Sequence, residues 1–299
     1  EDNGSHTQHT ADAFAQFDWN PRKKFNLIAG LRFDWFSEAK LSHFSPKLGL
    51  MYKLKNCSLR GSYAGGFRAP TLKEMYMNFY MGNIFMIYGN PDLKPESSHN
   101  FSLSAEYMKG RHNVTVTGFY NIVDDRITTA WNQALGGQVY TNMSRLQVAG
   151  VDANASGRYP CGVSWRLSYA YTYEHIRKGE PMLSSTRPHT ATARLAYDKD
   201  WKHYGLSVAL SGRWLSKVTT DVYTEITSYE QTERQTYPGY TIWKLSLTQR
   251  IWRGVNVTLA VDNLFDYRPR YYYSNSPSTT GTACSVGLSL DMERMFKKK

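Results

Sequence analysis

The chain holds only three cysteines in 299 residues, Cys57, Cys161 and Cys284. Cys57 and Cys161 fall beside short turns about three strands apart in the segmentation given below. At ~4.8 Å per strand that is roughly 14 Å, beyond the ~7 Å Cα separation that a disulfide spans. All three therefore read as free thiols, and CxxC or CxxxxH zinc spacings are missing. Long apolar runs are missing too. The longest charge-free aromatic stretch, Met75 to Pro91, contains Asn78, Gly82, Asn83, Gly89 and Asn90, whereas a spanning helix needs ~20 mostly apolar residues. No GxSxG elbow, HExxH or P-loop occurs, so the reading is a non-enzyme. Acidic residues are few, 25 against 36 basic, for a net charge of +11. Nucleic acid is nonetheless excluded as a partner. The excess sits in short turns (Lys23, Lys24, Lys53, Lys55, Lys109, Arg111, Arg253) and in the tail Lys297, Lys298 and Lys299, and forms no aromatic-interleaved groove. The start, Glu-Asp-Asn-Gly, lacks a leader pattern, so the expectation is a mature or truncated N-terminus.

What is present is aromatic and alternating. Aromatics make up 14% of the chain, with 22 Tyr and 8 Trp, yet mean hydropathy is −0.53. A membrane barrel hides only every second strand residue in lipid, which keeps mean hydropathy low. Period-two segments recur throughout. They are Ala11–Trp19, Phe25–Phe36, Pro46–Leu54, Ser58–Phe67, Asn100–Tyr107, Asn113–Val123, Val148–Tyr159, Val163–Glu174, Thr190–Tyr197, Gly205–Leu215, Tyr240–Trp252, Val255–Leu264 and Ala283–Phe296. Turns of about two to five residues alternate with mostly longer loops, among them Asp124–Met143 and Ser216–Pro238. Trp19, Trp35, Tyr63, Tyr107, Tyr173, Tyr197, Trp214 and Trp252 fall near strand ends, as interface girdles require. The fold class is all-β, a transmembrane antiparallel barrel with about 13 strands present. An odd number cannot close an antiparallel single-chain bacterial barrel. Inward Asp12, Asp34, Glu106, Asp152, Asp262, Asp291 and Glu293 are expected to pair with Arg32, Arg60, Arg166, Arg194 and Arg213 in a hydrated wall.

One stretch stands apart. Gly61 to Tyr107 reads as a strand, a long loop and a second strand, with two proline-locked boxes in the loop. The first is Phe67-Arg68-Ala69-Pro70; the second is Asn90-Pro91-Asp92-Leu93, continuing Lys94-Pro95-Glu96. This stretch resembles the C-terminal barrel of TonB-dependent outer-membrane receptors, and among them the haem and haemoprotein receptors with FRAP and NPDL boxes. Val261-Asp262-Asn263-Leu264-Phe265-Asp266 resembles that family's penultimate-strand motif. The resemblance implies that residues 1–299 are the C-terminal portion of a barrel of 22 strands, with plug domain and signal peptide outside this sequence. It implies a monomer in the outer-membrane lipid of a Gram-negative cell. It also implies energy-coupled import of haem first, with a ferric siderophore or cobalamin as alternatives. The TonB complex would act through the plug, and no covalent cofactor or resident metal is needed. A structural or adhesive barrel without transport is the rival from another class.

The candidate ligand element is the loop between the boxes. Its aromatic and methionine side chains are costly in water unless they pack or bind something apolar. Haem iron accepts Tyr, Met or His, but no histidine lies between the boxes. The candidates are therefore Tyr76, Tyr80, Met81, Met86 and Tyr88, with His43 and His99 flanking. Arg68 can pair with Glu74 or Glu96, or hold a ligand carboxylate. Asp92 is expected to accept nearby backbone N–H groups.

Overall fold

The computed structural model describes residues 5–82, 85–176, 186–202, 204–223, 232–252, 254–270, 279 and 281–292. In chain order the strands are β1 (Thr10–Arg22), β2 (Phe25–Phe36), β3 (Leu41–Lys53) and β4 (Cys57–Arg68), then helix α1 (Leu72–Tyr76) and the short strands β5 (Phe79–Met81) and β6 (Phe85–Tyr88). There follow β7 (Glu96–Lys109), β8 (His112–Asn132), β9 (Gly137–Arg158), β10 (Val163–Ile176), β11 (His189–Asp200) and β12 (Gly205–Leu215). The last five are β13 (Val218–Tyr223), β14 (Thr232–Tyr237), β15 (Tyr240–Trp252), β16 (Val255–Asp262) and β17 (Ala283–Leu290). The main path runs β1-β2-β3-β4-β7-β8-β9-β10-β11-β12-β15-β16-β17. These are the thirteen expected strands, each antiparallel to its neighbour.

The register separates two environments. Leu50, Gly61, Leu103, Gly118, Val151 and Tyr171 form one cross-strand row. Arg60, Ser104, Thr117, Asp152, Ala170 and Thr190 form a row on the opposite face. On the apolar face Leu103 is 70% exposed and Val286 77%. A soluble protein would not leave such a face uncovered; hydrocarbon covers it in a bilayer. Trp19, Trp35, Tyr107, Tyr173 and Trp214 are exposed at strand ends, as a girdle needs.

The polar face carries ion pairs in part of the wall. Arg32 meets Asp34 at 2.8 Å and Asp12 at 3.7 Å, Arg60 meets Glu106 at 2.8 Å, and Lys244 meets Asp262 at 2.8 Å. The expectation fails for the other three arginines. Arg166 lies across from Arg194, and Arg194 donates to Ser211 Oγ at 3.0 Å. Among the described residues neither these two nor Arg213 forms an ion pair, because the carboxylates of the wall sit on other strands. Glu293 and Phe296 lie outside the described residues.

Other departures concern length. The expected loop 124–143 continues β8 and β9 as one hairpin, paired out to Asn132 and Gly137, with Gly136 at φ +61 in its tip. Ile127, Thr128, Thr129, Val139, Tyr140 and Thr141 suit a strand. The loop 216–238 likewise holds the separate hairpin β13–β14. Strand β3 begins at Leu41, not Pro46. Its pairing with β4 starts only at Lys47, so the missing proline N–H costs no bond there. Strand β11 runs through Asp200, which pairs with Gly205. Strand β16 ends at Asp262, because Asn263 turns to φ +52.

Among the described residues β1 and β17 each pair on one side only. Unpaired edges recruit other chains. Residues 1–299 expressed alone are therefore expected to aggregate, with no heat-modifiable monomer on a semi-native gel. A monomeric, heat-modifiable band would show that these edges close on each other.

Candidate functional site

One group of buried apolar side chains lies under the loop between β4 and β7. Met75, Ile87, Leu93 and Ile127 are buried, and Pro70 is fully enclosed. Local chemistry explains how the loop folds. Pro70 precedes Thr71, which caps α1 in a capping box. The Thr71 N–H donates to Glu74 Oε2 at 2.8 Å and the Glu74 N–H donates to Thr71 Oγ1 at 3.3 Å. A five-residue helix cannot stand on propensity alone, so this box and the packing of Met75 hold it.

Arg68, the last residue of β4, ties the boxes together. Nη1 donates to both Glu74 oxygens at 2.9 and 3.0 Å, and Nη2 donates to Glu96 Oε1 at 2.8 Å. Glu96 Oε1 also accepts from the Ile127 N–H at 2.7 Å. Arg68 thus pairs with both glutamates rather than one, and its fork is committed to the scaffold.

The second box is an Asx turn built by Asn90, not by Asp92 as the sequence reading has it. Asn90 Oδ1 accepts from the Asp92 N–H at 3.0 Å, and Asn90 Nδ2 donates to the Tyr140 carbonyl at 3.0 Å. Asp92 itself is exposed. The Asn90 N–H donates to the Glu74 carbonyl at 2.9 Å. Gly89 lies so close to α1 that a Cβ there would stand 2.7 Å from the Met75 carbonyl oxygen.

Between the boxes, β5 and β6 form a hairpin, and β6 runs parallel to β9 through Ile87–Gln138 and Tyr88–Val139. One side of the loop packs. Tyr88 donates to the Leu135 carbonyl at 3.2 Å, and Phe85 meets Trp131 edge-on at 5.9 Å. Met86 pairs with Tyr80 across the hairpin. The other side stays open: Met77, Tyr80 and Met81 are exposed, Tyr80 at 67%. Tyr80 has no side-chain hydrogen bond among the described residues.

The remaining candidates are placed elsewhere. His43 stacks on Phe67 with centroids 4.4 Å apart. His99 bonds the Tyr63 hydroxyl at 2.9 Å and shares the outward face, away from the lumen. Tyr76 stacks on His6 at 3.7 Å. His6 in turn meets Glu38 at 3.2 Å. Hydrogen bonds from His6 and then Tyr76 hold the Glu38 carboxyl below the usual carboxylate range. This His6–Glu38–Tyr76 cluster has no local signature, since His6 lies in a segment without periodicity.

Burial alone would raise the Glu74 carboxyl. Hydrogen bonds from Thr71 and Arg68 outweigh it and leave Glu74 below its ordinary value. A depressed carboxyl stabilises the fold above its unfolded pKa, and that share is lost as pH falls through the folded pKa. Hydrogen-exchange protection at residues 71–77, corrected for intrinsic amide rates, should therefore be high at pH 7 and fall below about pH 4. Glu74→Gln should flatten the acid dependence. An unchanged acid dependence in that variant would assign it to another group.

The profile of the family described as TonB dependent receptor-like, beta-barrel matches residues 1–264. An iron-regulated outer membrane virulence protein of Vibrio cholerae is 28% identical over 283 residues, covering 86% of this chain and 41% of its own length. This chain thus spans about two fifths of the length of the curated relatives it matches. The siderophore receptor PirA of Acinetobacter baumannii superposes with a TM-score of 0.75 at 20% identity, over 95% of this chain and 46% of that one. The ferric enterobactin receptor of Pseudomonas aeruginosa, solved with enterobactin, gives 0.72 at 20% identity over 87% and 40%. The profile match spans β1 to β16 and includes the loop between β4 and β7.

Proposed function

We propose, for a chain that belongs to the TonB-dependent receptor-like β-barrel family and lies in the outer membrane, that it imports an iron-bearing chelate, a ferric siderophore before haem. Residues 1–299 are the C-terminal barrel portion. Ligand binds on the outer loops and passes inward when a TonB-type partner, acting through a plug outside this sequence, supplies the energy.

The observation that carries this reading is the split character of the loop between the boxes. Its anchors are spent on the scaffold, while Met77, Tyr80 and Met81 are presented to solvent. A ferric chelate brings its own coordination shell and needs only apolar and aromatic contact from the protein. Haem needs an axial ligand, and Tyr76, Tyr88, His43 and His99 all have partners in the fold. That ordering reverses the one drawn from the boxes alone, and it agrees with the names of the relatives. Haem keeps two specific supports, the Tyr80 hydroxyl, which has no hydrogen bond among the described residues, and the exposed thioether of Met81.

Fluorescence titration of the full-length protein with ferric enterobactin and with haem tests the proposal. Tyr80→Ala with Met81→Ala should weaken chelate binding about tenfold, as losing ~1.4 kcal/mol of aromatic contact implies. Tyr80→Phe should leave the chelate unaffected. If Tyr80→Phe alone abolishes haem binding and its Soret shift, haem takes first place. If all variants bind both ligands as the parent does, the loop is not the contact element.

A further inference from the structure

Four arginines left out of the ion-paired wall converge on one cavity of about 320 Å³, lined among others by Arg111, Arg158, Arg166, Arg194 and Asp198. Arg158 ends β9 and lies opposite Ser164, while Ser156 lies opposite Arg166. Arg166 in turn lies directly opposite Arg194, and Ser164 opposite Ala196. The alternation places these residues on the face of Ala170 and Thr190, the polar face towards the lumen. Short side chains at Ser156, Ser164 and Ala196 keep the floor low, and Ala196 is buried. All four arginines are exposed, so their guanidinium groups stand round that floor and are open to a ligand.

The charge is one-sided. Four cations share the cavity with one carboxylate, Asp198. Among the described residues none of the four arginines forms an ion pair, nor does Asp198. Arg194 donates to Ser211 Oγ at 3.0 Å. Like charges directly opposite on a sheet repel, so the Arg166–Arg194 pairing weakens this wall unless an anion lies between them. A cleft lined by one sign of charge focuses its field on such an anion. The frame is also fixed. The Arg158 N–H donates to the Arg111 carbonyl at 3.3 Å, which joins β9 to the preceding short turn. The Gly162 N–H donates to the Tyr159 carbonyl at 3.1 Å, and the Asp198 N–H to the Gly162 carbonyl at 2.9 Å.

We propose that this cavity binds a small multivalent oxyanion, a polycarboxylate or a polyphosphate. Each guanidinium donates two parallel N–H bonds to a pair of oxygens on such a group. Several forks facing one space suit a ligand with more than one anionic group. Ligand cavities run from ~300 to 1,000 Å³; this one, at the low end, admits an anion of citrate or pyrophosphate size. A lipid headgroup is excluded as the source, because the cavity lies on the face away from the bilayer. The site is also distinct from the box loop. That loop meets β9 at Val139, and Arg158 ends the same strand, roughly 60 Å away at ~3.3 Å per residue.

The test titrates full-length protein in detergent, at low salt and pH 7, with citrate and with pyrophosphate. Chloride at equal ionic strength is the control, and calorimetry is the readout. The parent should give a saturable heat with at least one of the two anions, and its affinity should fall as salt rises. Arg166→Gln with Arg194→Gln should weaken binding about tenfold, as the loss of charged hydrogen bonds implies. That variant should fold as the parent does, since both side chains are exposed and their repulsion is removed. Arg166→Lys with Arg194→Lys keeps the charge without the forks, and should lose most of the affinity. Arg60→Gln, on the same face four strands from β10, should bind as the parent does. Heat with citrate alone assigns a polycarboxylate, and with pyrophosphate alone a polyphosphate; heat with both supports the shared chemistry. No saturable heat with either anion, an affinity unchanged in either double variant, or an equal loss in Arg60→Gln would overturn the proposal.

Discussion

An arginine at Leu167 should cost the folded barrel about 2–4 kcal/mol, while an arginine at the next residue, Ser168, should cost far less. The first figure is the price of a cationic side chain near the bilayer midplane. Leu167 is half-exposed on the outward face and lies beside Ala155 and Ala193. Ser168 points the other way, between Asn154 and Thr192, where water and polar neighbours accept a charge. Leu259→Arg on β16 should repeat the large effect, since Leu259 shares the outward row of Leu247 and Val286. Urea-unfolding midpoints in lipid vesicles read these differences. Equal costs at residues 167 and 168 would mean that both faces meet the same environment, and a lipid-facing sheet would be ruled out.

The second large effect lies at Arg68. Replacing it with methionine keeps the stem but leaves Glu74 and Glu96 facing each other, with side chains only 14% and 19% exposed. Removing one partner of a fully buried pair costs about 3–5 kcal/mol. The guanidinium here is 41% exposed, and solvent screening reduces the expected loss to about 2 kcal/mol. The loss should be local. Strand β4 stays paired to β7 through a register from Cys57–Tyr107 upward, so the barrel transition should barely move. The loop between the boxes should become protease-sensitive instead. Adding Glu74→Gln and Glu96→Gln should recover part of the loss, because no uncompensated carboxylate remains. Failure of that rescue would show that Arg68 acts through its packing and not its charge.

The strands were legible for a physical reason: each meets lipid on one side and a hydrated lumen on the other, which writes period two into the sequence. Phe25–Phe36, Gly205–Leu215 and Tyr240–Trp252 agree with the structure at both ends. Legibility fails where the two-environment pattern stops. Beyond residue 124 the β8–β9 hairpin packs Ile127 and Trp131 against the box loop, so its polar residues read as a loop although its β-branched pairs continue the ladder. Helix α1 was readable and was missed: Pro70-Thr71 followed by Glu74 is a capping-box pattern. The Arg68 ion pair followed from reach along the chain. Nothing local announces Tyr76 against His6, or Arg187 against Ser216 and Pro238, because distant segments meet there through the sheet order. The unequal wall, with Arg166 opposite Arg194, also needed the register.

Energy-coupled uptake through an outer-membrane barrel is read out by iron accumulation. Cells with and without the full-length protein would be given radio-iron as ferric enterobactin, as a hydroxamate chelate and as haem, before and after the proton-motive force is dissipated. Accumulation of at least one form should require the protein and stop when the force is removed. Accumulation at the same rate without the protein, or undiminished after dissipation, would contradict energy-coupled uptake.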